Sequence, residues 1–260
     1  MSRRPAKSAP DHAIDVSEEA GVRYLHFGSD WVQGAMRVAR PYSLELAYTR
    51  EMMAALLLRN SIGWPRRALL IGLGAGSLLK FMYRHLPETH LTVVEINPEV
   101  ELVARFHFKL PNDPQRIDLH IGDGAAYVAE STEQFDLILV DGFDPDARAG
   151  GLDTEPFYAA CRERLRSDGL LVTNLLGRNR GFAASVGRLR EAFAGRALVF
   201  PSCDSGNAIA FGAVGEHLEI SSEELKARAE SLKKDTGLNL LPTLTRLAQA
   251  GSFVAGTLQL

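Results

Sequence analysis

Ala68-Leu-Leu-Ile-Gly72-Leu-Gly74-Ala75-Gly76-Ser-Leu-Leu-Lys-Phe-Met-Tyr83 is the stretch whose reading decides the fold. The apolar run before Gly72 shows no polar alternation, as in a strand covered on both faces. Leu78, Leu79, Met82 and Leu86 then recur at the spacing of a helix packed back onto a sheet. Between them Gly72, Gly74 and Gly76 permit positive φ and let a ligand lie against bare backbone, while the helix start beyond offers unpaired N–H groups. A second apolar run, Leu91-Thr-Val-Val94, ends in Glu95. An acidic side chain at the tip of the second strand of a doubly wound sheet is placed to hold a ribose diol. The stretch reads as a nucleoside site, or more plainly as a tight strand-to-helix turn followed by a solvated glutamate. A nicotinamide dinucleotide fits less well, because the third glycine of its fingerprint falls where Ser77 stands.

Outward from this stretch, strands and helices alternate. The pattern predicts strands over 68–73, 91–95, 117–121, 135–141, 169–175, 197–201 and 208–214, and helices over 77–86, 98–108, 124–130, 154–166 and 181–194. Such alternation builds a parallel sheet with helices on both faces. The last two strands are joined only by Ser202-Cys-Asp-Ser-Gly-Asn207, too short for a crossover helix, so they pair antiparallel. Seven strands ending in that hairpin make the α/β, Rossmann-like class I AdoMet-methyltransferase fold. Upstream, Val22–Phe27 and Trp31–Val38 flank the turn signal Gly28-Ser-Asp and predict a β-hairpin, followed by a helix over 43–58. The expected division is a disordered tail over 1–15, a small N-terminal hairpin-and-helix module over 16–64, a nucleoside-binding catalytic domain over 65–215 and a helical tail over 216–260. In that last segment Ser221-Ser-Glu-Glu224 resembles a capping box opening one helix, and Leu240–Gln249 suits another.

Composition narrows the function. The chain has 260 residues, 46% apolar and 23% charged, with a net charge of −3. That balance lacks the basic surface that nucleic-acid binding needs. Two cysteines, Cys161 and Cys203, form no Cys-x-x-Cys and suit buried thiols in a reducing compartment. The polar, proline-punctuated first residues lack an apolar signal region, and no apolar stretch has membrane-spanning length, so a soluble, cytoplasmic protein is expected. The histidines are scattered without metal-ligand spacing, so no metal is expected.

Three acidic residues fall at predicted strand ends, Glu95, Asp123 and Asp141, and would line one crevice at the carboxyl edge of the sheet. Asp123-Gly124 suits acceptance from an exocyclic adenine amine, or the N-cap of the helix after it, and the two roles are compatible. Asp141-Gly-Phe-Asp144-Pro puts two carboxylates on a turn beside the crevice. It reads as a negative site for a cationic amine, or as a strand-end turn whose aspartates cap backbone N–H groups. A protonated alkylamine has no lone pair, so a base must take its proton, and Asp141 at the strand end suits that task. The small-residue stretch Ala147–Gly151 suits a segment closing over the site. Arg178 and Arg180 suit an anionic substrate or plain surface positions.

Taken as a set, Leu-Leu-Ile-Gly72-Leu-Gly-Ala-Gly-Ser, Val-Val-Glu95-Ile-Asn-Pro, His-Ile-Gly-Asp123-Gly124 and Phe-Asp-Leu-Ile-Leu-Val-Asp141-Gly-Phe-Asp144-Pro resemble the spermidine synthase (polyamine aminopropyltransferase) family. The resemblance spans about 65–215, and the hairpin with Gly34-Ala-Met36 resembles that family's small N-terminal β-domain. It implies that decarboxylated S-adenosylmethionine donates an aminopropyl group to an amine, putrescine or another polyamine, with release of methylthioadenosine. By position it implies that Glu95 holds the ribose, Ile96 packs on the adenine, Asp123 takes the adenine amine, Asp141 is the base and Asp144 the second acid, in a homodimer or larger homo-oligomer. Three places depart from the pattern, one of them Arg40-Pro41 with apolar neighbours where an Asp-Gly and a glutamine are expected. Ala75 stands where the family carries an aspartate for the aminopropyl ammonium, and Tyr48-Thr-Arg-Glu51-Met52 replaces a Tyr-His-Glu-Met element. Ala75 favours a second reading, a methyltransferase using intact S-adenosylmethionine, whose carboxylate an aspartate there would repel. The third is a non-catalytic nucleoside-binding homologue.

Overall fold

Along the first strand of the central sheet, alternate side chains enter different cores: Ala68 and Leu70 pack on one face, Leu69 and Ile71 on the other. Both faces are covered, which is why the run reads as continuously apolar. The structure is a computed structural model that describes residues 13–28, 31–142, 149–177, 181–203 and 206–260.

In chain order, β1 (Ile14–Glu19), β2 (Val22–Phe27) and β3 (Val32–Arg37) form an antiparallel sheet, followed by α1 (Ala47–Met52) and α2 (Ala55–Leu58). The alternating segment comprises β4 (Arg67–Ile71), α3 (Ser77–His85), β5 (His90–Glu95), α4 (Pro98–His107), β6 (Ile117–Ile121), α5 (Gly124–Glu130) and β7 (Phe135–Val140). It continues with α6 (Glu155–Glu163), β8 (Leu165–Leu176), α7 (Phe182–Ala192), β9 (Ala197–Val199) and β10 (Asn207–Ala213). Last come β11 (Glu219–Ser221), α8 (Ser222–Thr236), α9 (Leu241–Gln249) and β12 (Thr257–Gln259).

The seven-stranded sheet runs β6-β5-β4-β7-β8-β10-β9. Strands β4 to β8 pair in parallel, while β10 is antiparallel to both β8 and β9. Chain direction across the sheet reverses beside β4, and the crevice opens at the carboxyl ends there. At the opposite edge Asp136, 4% exposed, accepts from the Arg66 and Arg67 amides at 2.7 and 2.8 Å and from the Arg166 guanidinium at 3.2 Å. The floor of the sheet is thereby pinned across three strands.

Helix α3 packs against the end of α4 through an unusual side chain. Lys80 is 1% exposed, and its Nζ donates to the Phe108 carbonyl at 2.8 Å. It thus satisfies one of the carbonyls left open at the end of α4. Burial, with Lys109 adding in the same direction, pulls its pKa down to about 7.

Several expectations are corrected. Strand β1 begins at Ile14, inside the segment assigned to a disordered tail, and turns the hairpin into a three-stranded sheet. Its Asp15, Ser17, Glu18 and Glu19 carry no apolar signal, as suits a charged edge strand. The helix expected over 43–58 starts only at Ala47 and splits. Around Met53 the hydrogen bonds tighten to i→i+3, Ala54 N–H donating to Glu51 O at 2.9 Å and Leu57 N–H to Ala54 O at 2.9 Å. The C-terminal segment holds the two helices but also the antiparallel pair β11 and β12. Both cysteines are buried. Among the described residues no helix is long and apolar enough to cross a membrane.

Candidate active site

The carboxyl edge of the sheet opens into a cavity of about 840 Å³, bounded by the ends of β4 to β8 and β10 on one side and by β3 and α1 on the other. Its floor is the glycine loop between β4 and α3. Gly72, with φ +92°, lies so close to β7 that a Cβ there would stand 2.3 Å from the Asp141 carbonyl oxygen, and the Asp141 N–H donates to Ile71 O at 2.9 Å. Only glycine lets these two strand ends meet at the bottom of the cavity. Gly74 and Gly76 carry the loop onward into α3; Gly72 and Gly74 line the cavity, while Gly76 lies against Leu110. Gly124, which opens α5, has the same constraint from another direction, since a Cβ would fall 2.3 Å from Ile71 Cγ2.

Glu95 ends β5 and is 6% exposed. Its Oε2 accepts from the Leu73 N–H at 2.8 Å and its Oε1 from the Asn97 N–H at 2.9 Å, so the carboxylate ties the glycine loop to the start of α4. Burial pushes the carboxyl above its usual range, opposed by these amides and those of Ile96 and Gly74. Ile96 follows with 68% of its surface exposed, an apolar plate at the cavity wall. Asp123 is exposed at the same end. Its Oδ1 accepts from the Ala126 N–H at 2.8 Å as the N-cap of α5, and the residue lines the cavity. The capping role anticipated for it is therefore real.

Asp141 stands one residue beyond β7, between the glycine loop and β8. The Asn174 Nδ2 donates to its Oδ1 at 2.9 Å, and the Tyr48 hydroxyl also donates to its carboxylate. Desolvation in this closed end pushes the Asp141 carboxyl above its ordinary range, and the two donors pull the other way. Tyr48 itself is held well above the usual phenol range by burial and by the neighbouring Asp141 charge, so it stays a donor. Asn174 in turn accepts at Oδ1 from the Asn207 Nδ2 at 2.9 Å. Sequence reasoning singled out neither Asn174 nor Asn207 and named Tyr48 within the Tyr48-Thr-Arg-Glu51-Met52 element that departs from the family pattern. The available signal was a polar break in Leu170-Leu-Val-Thr-Asn174-Leu-Leu176, where an otherwise apolar strand admits an amide. Asp144, Arg178 and Arg180 lie outside the described residues.

The cavity thus has two ends. One carries Glu95, Ile96 and Asp123 and offers hydroxyl and amine acceptors beside an apolar plate. The other carries a desolvated carboxylate with two fixed donors, suited to binding a cation and accepting a proton.

A family model described as the spermine/spermidine synthase domain matches residues 45–175, from the foot of α1 to the end of β8. The polyamine aminopropyltransferase of Neisseria meningitidis serogroup A is 38% identical over 237 residues, 91% of this chain and 89% of that protein. The chain belongs to the spermine/spermidine synthase family. A second relative in the family, the polyamine aminopropyltransferase of Chromobacterium violaceum, is 36% identical over 256 residues, 98% of this chain and 96% of its own. The fold of this spermidine synthase family member also matches the crystal structure of a probable spermidine synthase from Corynebacterium glutamicum. The TM-score is 0.72 at 20% identity, covering 90% of this chain and 88% of that one. The match to the Chromobacterium violaceum protein, over 98% of this chain, extends beyond the family model to include β1–β3 upstream and β10, with Asn207, downstream.

Proposed function

We propose that the protein transfers an aminopropyl group from decarboxylated S-adenosylmethionine to an amine of the polyamine class, putrescine or another polyamine, and releases methylthioadenosine. The observation that carries this reading is the desolvated Asp141 carboxylate at the cavity floor, beside the glycine loop and held by Tyr48 and Asn174. Methyl transfer from intact S-adenosylmethionine is the weaker reading, because the long matches are to polyamine aminopropyltransferases.

In this reading Glu95 takes the ribose hydroxyls, Asp123 the adenine amine, and Ile96 packs on the base. Gly72, Gly74 and Gly124 let the nucleoside approach the backbone, and Gly76, with its positive φ, turns the loop into α3. Asp141 binds the acceptor's ammonium and accepts its proton, with Asp144 as the second acid. The freed nitrogen lone pair forms the C–N bond as the C–S bond of the sulfonium breaks, and sulfur keeps that bonding pair and becomes neutral. Alignment of the two substrates in one cavity supplies most of the rate, a contribution that reaches roughly 7–11 kcal/mol in well-oriented systems. The family resemblance also supports a cytoplasmic homodimer or larger homo-oligomer.

Asp141→Asn tests the reading. Aminopropyl transfer should fall by at least about 100-fold, the lower range for losing general base catalysis, while calorimetric affinity for methylthioadenosine stays within about twofold of the parent. Full activity in the variant removes Asp141 as the base. Tighter binding of intact than of decarboxylated S-adenosylmethionine would overturn the choice of donor.

A further inference from the structure

Behind Asp141 two side-chain amides are joined in series. Asn174 projects from β8 and is 4% exposed, donating through Nδ2 to Asp141 Oδ1 and accepting at Oδ1 from Asn207 Nδ2, each at 2.9 Å. Strands β8 and β10 are antiparallel with Ile209 opposite Asn174, so Asn207 is the diagonal neighbour on the same face. We propose that Asn174 and Asn207 are positioning residues that keep Asp141 in its ionised, proton-accepting form, Asn207 acting through Asn174. The inference rests on the proposed function for its meaning, because it assigns the setting of the base in that reaction.

The argument is one of direction. A side-chain amide offers an acceptor at one end and donors at the other, and a rotation by 180° exchanges them. Were Asn174 turned over, its oxygen would face the Asp141 carboxylate and its N–H₂ would face that of Asn207, two repulsive meetings in place of two hydrogen bonds. By donating to Asn174 Oδ1, Asn207 favours the orientation in which Asn174 Nδ2 faces Asp141. A donor fixed in this way favours the carboxylate over the carboxylic acid, which opposes the desolvation of the closed cavity. Among the described residues the other titratable groups near Asp141 are Tyr48 from α1, whose hydroxyl donates to it, and Cys203 from the β9–β10 connection, which lies beside Tyr48. Glu95 and Asp123 face the same cavity from β5 and β6 at its far end.

The test measures pH profiles of kcat/KM for aminopropyl transfer and, without turnover, the NMR titration of the Asp141 carboxyl in the unliganded protein. Asn174→Ala should move the acid limb and the carboxyl titration upward by about one pH unit, the loss of one hydrogen bond to a charged group. Asn207→Ser should move both in the same direction by less, and the double variant should move them no further than Asn174→Ala alone. Methylthioadenosine affinity should be unchanged in all three. Coincident titrations of the parent and Asn174→Ala overturn the proposal, as does an Asn207→Ser shift that adds in full to that of Asn174→Ala. If Asn174→Ala does not fold, an unmoved Asp141 titration in Asn207→Ser overturns it alone. A parent protein that transfers no aminopropyl group refutes the proposed function instead, and leaves the carboxyl titrations as the measure of the amide pair.

Discussion

Glu95 has a structural task that precedes the ribose role proposed for it. Its oxygens hold the amides of Leu73 and Asn97, and so shape the glycine loop, before any ligand arrives. Glu95→Ala should weaken methylthioadenosine binding by about 1.5–3 kcal/mol for each hydrogen bond to the charged group, a drop that calorimetry resolves easily. Unaltered affinity would exclude it as the ribose acceptor. The position of Glu95 was legible from sequence because a strand tip in a doubly wound sheet is a defined place, and the same holds for Asp123 and Asp141. Tyr48, Asn174 and Asn207 were not legible. Their role is relational, hydrogen bonds joining α1, β7, β8 and β10, and hydropathy along a chain carries no information about which polar atoms meet across elements.

Among the elements, α3 shows how local pattern and tertiary demand diverge. Its apolar spacing predicted a helix packed on the sheet, and Lys80 sits in that buried stripe with its amine under the end of α4. The unfolded chain holds the lysine proton up to the ordinary range near 10.5, whereas the folded chain releases it near 7. Between those values unfolding takes up a proton, so stability rises with pH by up to about 1.4 kcal/mol per unit. Lys80→Met should flatten that rise, measured as urea midpoints between pH 7 and 9.5, and a slope kept in the variant would remove Lys80 as its source. The strands and helices of the alternating segment were readable because each buries an apolar run or stripe. What escaped had no such run: the polar edge strand β1, and β11 and β12, three residues each.

For the molecule as a whole, the C-terminal layer is fastened to the N-terminal helices. Arg246 on α9 donates both to the Glu51 carboxylate on α1 and to the Pro201 carbonyl beyond β9, and Thr243 adds a weak hydroxyl contact to Glu51 at 3.4 Å. Glu51 keeps 7% of its side-chain surface and Arg246 keeps 27%. Arg246→Ala strands a buried carboxylate and should cost about 2–3 kcal/mol, below the roughly 3–5 of a fully buried pair because the arginine retains some solvent. Pairing it with Glu51→Gln should recover part of the loss in thermal melts, and equal destabilisation of the single and double variants would show that the carboxylate is not the source. Sequence reasoning found helices here without finding what they cover, since an i, i+4 pattern names a buried stripe and not its partner.

Strand β3 rests on the glycine loop with no side chain between them: a Cβ on Gly34 would stand 2.6 Å from the Cβ of Ala75. Residues 34 and 75 therefore share one small volume and are constrained as a pair. A chimera that grafts a relative's first forty residues onto this sheet inherits that bargain, and a graft bringing anything larger than glycine to position 34 must displace the very backbone on which the nucleoside would lie.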